Sequence, residues 1–256
     1  MTRWWQYLLT TLAGLAVATT AVVALAAAMI YPNLPSLETL TDYRPKQPMR
    51  IFTEDGALIG EFGEERRAVV RLKDTPKFLR QAILAAEDER FYQHGGVDTL
   101  GVLRAALSNV LSGGAKEGAS TITMQVARNF FLSTEKTFAR KINEALLAIK
   151  IEHALSKDEI LELYINHIFL GQRAYGFAAA SQIYFGKPLD KINIAEAAML
   201  AGLPKAPSAY NPVVNPARAK TRQIYVLGRM KSLRFISDTE YMQAKDQRLP
   251  VKYSPQ

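Results

Sequence analysis

The feature that most constrains this chain is a long apolar segment close to its N-terminus. Leu8 to Ile30 is a run of 23 uncharged and mostly apolar residues, which as an α-helix would be about 34 Å long. That length is sufficient to cross a membrane. Tryptophan and tyrosine side chains flank the run, and Pro32 is expected to end the helix. We therefore predict a transmembrane anchor over residues 8–30, preceded by a short tail of residues 1–7.

A cleaved signal peptide is the alternative interpretation of the same segment. The triplets at residues 24–26 and 26–28, Ala-Leu-Ala and Ala-Ala-Ala, resemble cleavage sites. The apolar run is, however, longer than the roughly 7–15 residues of a signal-peptide core, which favours an anchor. Charge does not settle the orientation, because Arg3 lies upstream of the run whereas Arg44, Lys46 and Arg50 lie downstream of it.

The composition of the chain is that of a folded, basic protein. Apolar residues make up 48% of the sequence and charged residues 22%, which excludes an intrinsically disordered chain. The formal net charge is +8 and the pI is near 9.6, so an anionic partner such as lipid headgroups or a phosphorylated substrate is expected. A membrane anchor argues against nucleic acid. The absence of cysteine excludes disulfides, thiolate nucleophiles and zinc–thiolate sites.

Local patterns divide the remaining residues into a linker and a mainly helical domain. Residues 31–49 are rich in proline and are predicted to be an extended linker. Asp55-Gly56 separates two short apolar runs, a pattern typical of a β-hairpin. The domain is assigned to residues 50–245, and residues 246–256 to a following linker or a truncated end. Helical spacing is found at 76–91, 98–111, 120–131, 138–155, 157–166, 174–183, 194–202 and 216–231.

Glu87 is the first candidate for chemistry. On the helix that starts near Pro76, Leu79 and Ile83 define a buried stripe, and the spacing places Glu87 at its edge. Partial burial raises the pKa of a carboxylate toward neutrality, as a general base or acid requires. The alternative is a charged helix end with surface ion pairs. The nearby His94 is interpreted as a structural, hydrogen-bonding histidine, and the three histidines have no metal-ligand spacing.

Two further segments combine charge with burial. Ser120 or Thr121 is placed to cap a helix that carries Arg128, and the backbone N–H groups at such a terminus favour an anion; an ordinary capped helix is the alternative. In the helix 138–155, apolar residues on two faces predict a central position, and Glu144 follows Arg140 by four residues, which predicts a buried ion pair. With Lys141, these groups would suit a site that handles a sugar and a phosphate.

Five motifs in the same order resemble those of the peptidoglycan glycosyltransferases, glycosyltransferase family 51. The resemblance extends from about Arg50 to Met230, and the motif sequences are most similar to those of class A penicillin-binding proteins of the 1A kind. The motifs are EDERFYQHGGVD from Glu87, GASTITMQVARNFFLS from Gly118, RKINEALLAIKIE from Arg140, KDEILELYINHIFLG from Lys157 and AEAAMLAGLPKAPSAYNP from Ala195.

The resemblance implies a lysozyme-like, mainly α fold on a single-pass anchor in the inner membrane, with the domain in the periplasm and the tail of residues 1–7 in the cytoplasm. Its substrates would be lipid II and the growing glycan chain, joined into β-1,4 strands with release of undecaprenyl pyrophosphate. Membrane lipids and other cell-wall synthesis proteins would be its partners. No cofactor is obligatory, although Mg²⁺ or another divalent cation could assist at the pyrophosphate. Residues 97–116 correspond to a mobile, partly membrane-embedded segment.

The family's functional residues carry over onto this chain by motif position. Glu87 matches the general base that deprotonates the acceptor 4-hydroxyl, and Glu144 matches a second essential glutamate that assists at the pyrophosphate. The cations expected to hold the pyrophosphate are Arg128, Arg140 and Lys141. Further substrate-binding or orienting positions are Asp88, Phe91, His94, Ser120, Thr121, Gln125 and Asn166.

The sequence departs from the family pattern at two places. Met124 stands where the second motif usually has the first of two glutamines, which removes one amide donor. The chain ends at Gln256 without a transpeptidase domain, so we expect either a monofunctional enzyme or a piece of a bifunctional one. The similarity of its motifs to the 1A kind favours the second alternative. The alternative functions are a catalytically silent scaffold for cell-wall assembly and a lysozyme-like, glycan-cleaving enzyme.

Overall fold

The computed structural model describes residues 4–41, 49–55, 58–62, 66–112, 120–132, 137–249 and 251. The chain starts with helix α1, Trp4–Ile30, most of whose described side chains are exposed. Within the described residues it is the one helix long and apolar enough to cross a membrane. An apolar helix that is mostly exposed is consistent with the predicted anchor.

The segment that follows α1 is packed against the domain over its first half. Residues Tyr31–Asn33 form a 3₁₀ turn, and Glu38–Thr41 form the short helix α2. Leu34 and Leu40 are buried in the main apolar core, and the backbone carbonyl of Pro35 accepts a hydrogen bond of 2.9 Å from Lys150 Nζ. The extended linker predicted for residues 31–49 is therefore wrong over this half, because its leucines find apolar partners. Residues 42–48 lie outside the described part.

The predicted β-hairpin is confirmed. Strands β1, Met49–Phe52, and β2, Leu58–Phe62, pair antiparallel, with Arg50 opposite Glu61. A second small sheet pairs β3, Arg66–Arg67, in parallel with β4, Ala174–Tyr175. Two-residue strands carry too few residues for an alternating pattern, so this sheet had no signal in the sequence.

The remaining regular structure of the described chain is mostly α-helical, which confirms the mainly α prediction. Every helix expected from the spacing is present, and α11 was missed although Ser237 and Glu240 form a capping box at its start. The helices are α3 Lys77–Glu87, α4 Thr99–Ser112, α5 Ile122–Phe131, α6 Phe138–Ala154, α7 Lys157–His167, α8 Phe177–Phe185, α9 Ile194–Gly202, α10 Pro216–Ser232 and α11 Asp238–Asp246.

Two groups of helices position the functional residues. Helix α9 is buried on every side from Ala195 to Gly202 and packs against α3 and α10. Helix α5 packs against α6 and α7. Helix α3 ends at Glu87, earlier than the predicted end at residue 91, because the next residue, Asp88, has non-helical angles (φ −160°, ψ 78°). Glu87 is thus the last residue of a helix anchored in the core.

Gly176, between β4 and α8, offers a direct test of this packing. Its φ is +86°, and a Cβ atom there would lie 2.6 Å from the backbone oxygen of Asn166. We expect Gly176→Ala to lower the free energy of unfolding by about 2–4 kcal/mol, measured by urea denaturation. The matched control is Gly228→Ala inside α10, where a Cβ meets nothing within 4 Å and stability should be unchanged or raised by up to about 1 kcal/mol. Equal stabilities of the two variants would contradict this packing.

Candidate active site

A cavity of about 550 Å³ lies between the end of α3, the start of α5, and helices α4 and α10. Six of the residues predicted from the sequence line it, and they come from two separate segments of the chain. Four cations are also part of the wall. The predicted lining residues are Glu87, Asp88, Ser120, Thr121, Gln125 and Arg128, and the cations that sequence reasoning missed are Arg104, Lys205, Arg222 and Arg229.

Glu87 lines this cavity with a carboxylate of which one oxygen has no hydrogen-bond partner. Its side chain is 11% exposed. Oε2 accepts a hydrogen bond of 2.9 Å from Gln125 Nε2, whereas Oε1 accepts none and lies 3.6 Å from Arg222 Nη2. Burial raises the pKa of Glu87, and the Gln125 hydrogen bond and nearby cations only partly oppose it. A carboxylate with a raised pKa and a free oxygen can accept a proton from a bound hydroxyl.

Gln125 is itself held in one orientation. The hydroxyl of Tyr164 lies 3.5 Å from Gln125 Oε1, so the amide points its NH₂ group at Glu87. Burial raises the pKa of Tyr164 well above its ordinary value, which keeps this hydroxyl a donor. The carboxylate is thereby oriented by a fixed amide rather than by solvent.

Arg222 on α10 is the counter-charge that the sequence did not reveal. The guanidinium lies 4.6 Å from the ring centroid of Tyr225, in cation–π geometry. A Cβ at Gly202 would lie 2.8 Å from its Cγ, so close approach of α9 also fixes this side chain. No motif or spacing distinguishes Arg222 in the sequence. Lys205, by contrast, lies inside the fifth motif and could have been proposed from it.

The carboxylate of Asp88 lies at the N-terminus of α5. The backbone N–H of Ile122 donates to Asp88 Oδ2 at 3.0 Å, and His94 Nε2 lies 2.9 Å from Oδ1. Thr121 is the N-cap residue, accepting a hydrogen bond of 3.1 Å from the backbone N–H of Met124. The anion that the sequence predicted at this helix terminus is therefore one of the protein's own carboxylates. His94 orients Asp88, in agreement with its structural interpretation.

A cluster of cations surrounds Glu144, whose side chain is 0% exposed. Lys141 Nζ lies 2.9 Å from Oε2, while Arg140 Nη1 lies 3.5 Å and Arg128 Nη1 3.9 Å from Oε1. Lys141 also donates to Ser120 Oγ at 2.5 Å, which connects the cluster to the cavity wall. Three cations share one carboxylate, so two positive charges are uncompensated and favour an anionic group. We call Arg128, Arg140, Lys141 and Glu144 the cation cluster.

Three further residues of interest also lie away from the cavity wall. Phe91 is fully buried in the core beneath Lys157 Nζ, 4.3 Å from its ring centroid. Asn166 uses its amide to bind both backbone groups of Val70, at 2.9 and 2.8 Å. Met124 is buried and does not line the cavity. Its replacement of the usual glutamine therefore removes no donor from the described wall.

The site does not fit a metal ion held by protein groups alone. Within the described residues, no three His, Asp or Glu side chains are grouped so as to hold one. Glu144 already has three cations around it, and these would repel a divalent ion. No catalytic step is therefore assigned to a metal here.

Comparisons with known proteins identify similar sequences. A family model described as Transglycosylase matches residues 55–231. Penicillin-binding protein 1A of Neisseria cinerea is 58% identical over 236 residues, covering 92% of this chain and 29% of the relative. The corresponding protein of Pseudomonas aeruginosa is 51% identical over 225 residues, covering 88% and 27%. The chain thus spans less than a third of the length of these relatives.

A solved structure is also similar. The 2.6 Å crystal structure of penicillin-binding protein 1A from Haemophilus influenzae is 34% identical, with a TM-score of 0.49, and the match covers 82% of this chain and 22% of that one.

Proposed function

The chain belongs to the transglycosylase family, and from this premise we propose that it is a peptidoglycan glycosyltransferase that polymerises lipid II into β-1,4 glycan strands. The observation that carries the proposal is the pairing of a buried carboxylate with a cation cluster. Glu87 has a raised pKa and a free oxygen, and Arg128 belongs to both the cavity wall and the cluster around Glu144. The first group can accept a proton and the second can hold pyrophosphate.

Glu87 is the proposed general base. The 4-hydroxyl of the acceptor sugar donates to Oε1, the oxygen without a hydrogen-bond partner. As the hydroxyl oxygen attacks the anomeric carbon of the donor, its proton passes to this carboxylate. Gln125 and Arg222 remain in contact with the carboxylate and hold it in place. No protein nucleophile is needed, because a single displacement converts an α-linked pyrophosphate into a β-glycoside.

The cation cluster is the proposed site of the leaving group. The bond between the anomeric carbon and the pyrophosphate oxygen breaks, and its electron pair leaves with undecaprenyl pyrophosphate. Arg128, Arg140 and Lys141 stabilise that charge with donors that are already fixed by Glu144. Glu144 acts here by orienting cations. A divalent ion could take part only with phosphate oxygens among its ligands.

The membrane is the proposed location of this reaction. Helix α1 is long and apolar enough to span the inner membrane as a single-pass anchor, with the domain on the periplasmic side, where a lipid-linked donor would be presented. Membrane lipids and other proteins of cell-wall synthesis are the proposed partners, and nucleic acid is not. The basic surface of a chain with net charge +8 would then face anionic headgroups.

The test is a polymerisation assay. Detergent-solubilised protein is incubated with labelled lipid II, with and without moenomycin, and the glycan products are separated by size. Moenomycin-sensitive chains are expected. Binding of moenomycin without chain formation would favour a silent scaffold, and shortening of added glycan would favour a cleaving enzyme; either result would overturn the proposal.

A further inference from the structure

Helix α4 is attached to the protein in an unusual way. Among its described side chains, Ala105 is the one buried apolar residue. Most helices of globular proteins are stabilised by burying an apolar stripe, whereas the large apolar side chains of α4 point outward. The exposed ones are Leu100, Val102, Leu103, Leu107, Val110 and Leu111. Another kind of contact must contribute to holding α4 in place.

Ion pairs provide that contact on the cavity side of α4. At its start, Asp98 pairs with Arg90 and accepts a hydrogen bond of 2.9 Å from the backbone N–H of Gly101. Further along, Arg104 Nη1 lies 2.5 Å from Oε1 of Glu89. The other oxygen of Glu89 accepts a hydrogen bond from Arg229. One carboxylate therefore joins two arginines from different helices, α4 and α10.

We call Glu89, Arg104 and Arg229 the Glu89 bridge. The Glu89 side chain is 15% exposed, so its hydrogen bonds are shielded from water more than those of a surface ion pair. Burial disfavours the charged form, but the two arginines outweigh it and lower the pKa of Glu89. The carboxylate is thus ionised at neutral pH. All three members line the cavity that contains Glu87.

We propose that the Glu89 bridge positions α4 against α10 and so sets the width of the cavity through which the lipid-linked substrate reaches Glu87. Glu89 is a positioning residue, because it acts through Arg104 and Arg229. The inference rests on the proposed function for its substrate. The part of the proposal that concerns the attachment of α4 can be tested without any substrate.

The first experiment uses the full chain in one detergent and compares wild type with Glu89→Gln, which keeps the size of the side chain and removes its charge. Amide hydrogen exchange in α4 should become faster by about tenfold, since local opening of a weakly packed helix then costs less. The KM for labelled lipid II should rise roughly fivefold, with a smaller change in kcat. High salt should accelerate exchange in α4 of the wild type and have little effect in the variant.

A double variant tests whether the bridge acts as one unit. Arg229→Gln should reproduce both effects, because it removes the α10 end of the bridge. If Glu89 and Arg229 act through the same contact, the combination of the two substitutions should be no worse than the stronger single one. Additive effects on exchange in α4 would contradict a shared bridge.

Glu152→Gln is the matched control. Glu152 on α6 also accepts from a cation, with Lys157 Nζ 2.7 Å from Oε1, but it does not line the cavity. We expect it to lower the melting temperature without changing exchange in α4 or the KM. The proposal is overturned if Glu89→Gln behaves like this control, or if it raises the KM while α4 exchanges at the wild-type rate. An inactive wild type would refute the proposed function and leave the exchange result to decide the attachment of α4.

Discussion

Replacement of Glu87 by glutamine is expected to reduce polymerisation of lipid II by about 100- to 10,000-fold, the range associated with loss of a general base. The amide keeps the size of the side chain, so Gln125 and Arg222 still surround it. Binding of lipid II, measured with a labelled analogue, should change little because the cation cluster is intact. Asp74→Asn is the control, an exposed carboxylate paired with Arg71, and it should leave turnover unchanged. Near-normal turnover in the Glu87 variant would exclude this residue as the base.

The stability of the same variant relative to the wild type should depend on pH. Burial raises the pKa of Glu87, so the folded state favours the protonated carboxyl. The stability that this group contributes is complete below its ordinary pKa, near 4.5, and is lost as the pH rises through the raised folded value. A glutamine side chain does not titrate, so the variant does not lose stability in this way as the pH rises. The melting temperature of Glu87→Gln relative to wild type should therefore increase with pH, while wild-type activity increases over the same interval.

Replacement of Glu144 by glutamine is expected to have the opposite effect on stability. Three cations would lose the single carboxylate that they share and would repel one another. Since all three cations are partly exposed, water would stabilise them in part, and we expect a loss of about 1–3 kcal/mol in the free energy of unfolding. Polymerisation should fall by at least about 100-fold, because the donors for pyrophosphate are no longer fixed.

Glu152→Gln separates these effects, because Glu152 lies on the same helix and is bound by Lys157 outside the cavity. We expect Glu152→Gln to lower the free energy of unfolding about as much as Glu144→Gln does and to leave polymerisation almost unchanged. Glu144→Asp should recover part of both properties, since it restores the charge at a shorter reach. A Glu144→Gln protein that is as stable as wild type and turns over normally would contradict the role of the cluster.

Local patterns in the sequence predicted much of the fold. The Asp55-Gly56 pair predicted the hairpin of β1 and β2, and helical spacing predicted α3 to α10. Burial of Glu87 at the edge of its stripe also followed from spacing. Spacing did not predict the end of α3, because tertiary contacts of Asp88 with His94 and the start of α5 set the backbone there.

Long-range contacts account for what sequence reasoning missed. Arg222 reaches Glu87 because α10 packs against α3 and α9. Arg104 and Arg229 meet at Glu89 although they belong to separate helices. Leu34 and Leu40 looked like parts of a proline-rich tether, and only the folded core shows where they are buried. Roles of individual site residues stay predictions until the variants above are measured.

The packing of Leu34 and Leu40 against the core limits how far the domain can move away from the membrane. An extended stretch covering residues 31–49 could have allowed the domain to rise about 65 Å from the bilayer, at about 3.4 Å per residue. Because Ile30 at the end of α1 already packs against the core and Leu34 is buried in it, almost no slack remains between the helix and the domain. With α1 in the bilayer, the domain would travel at a nearly constant height and meet its substrate by lateral diffusion in two dimensions.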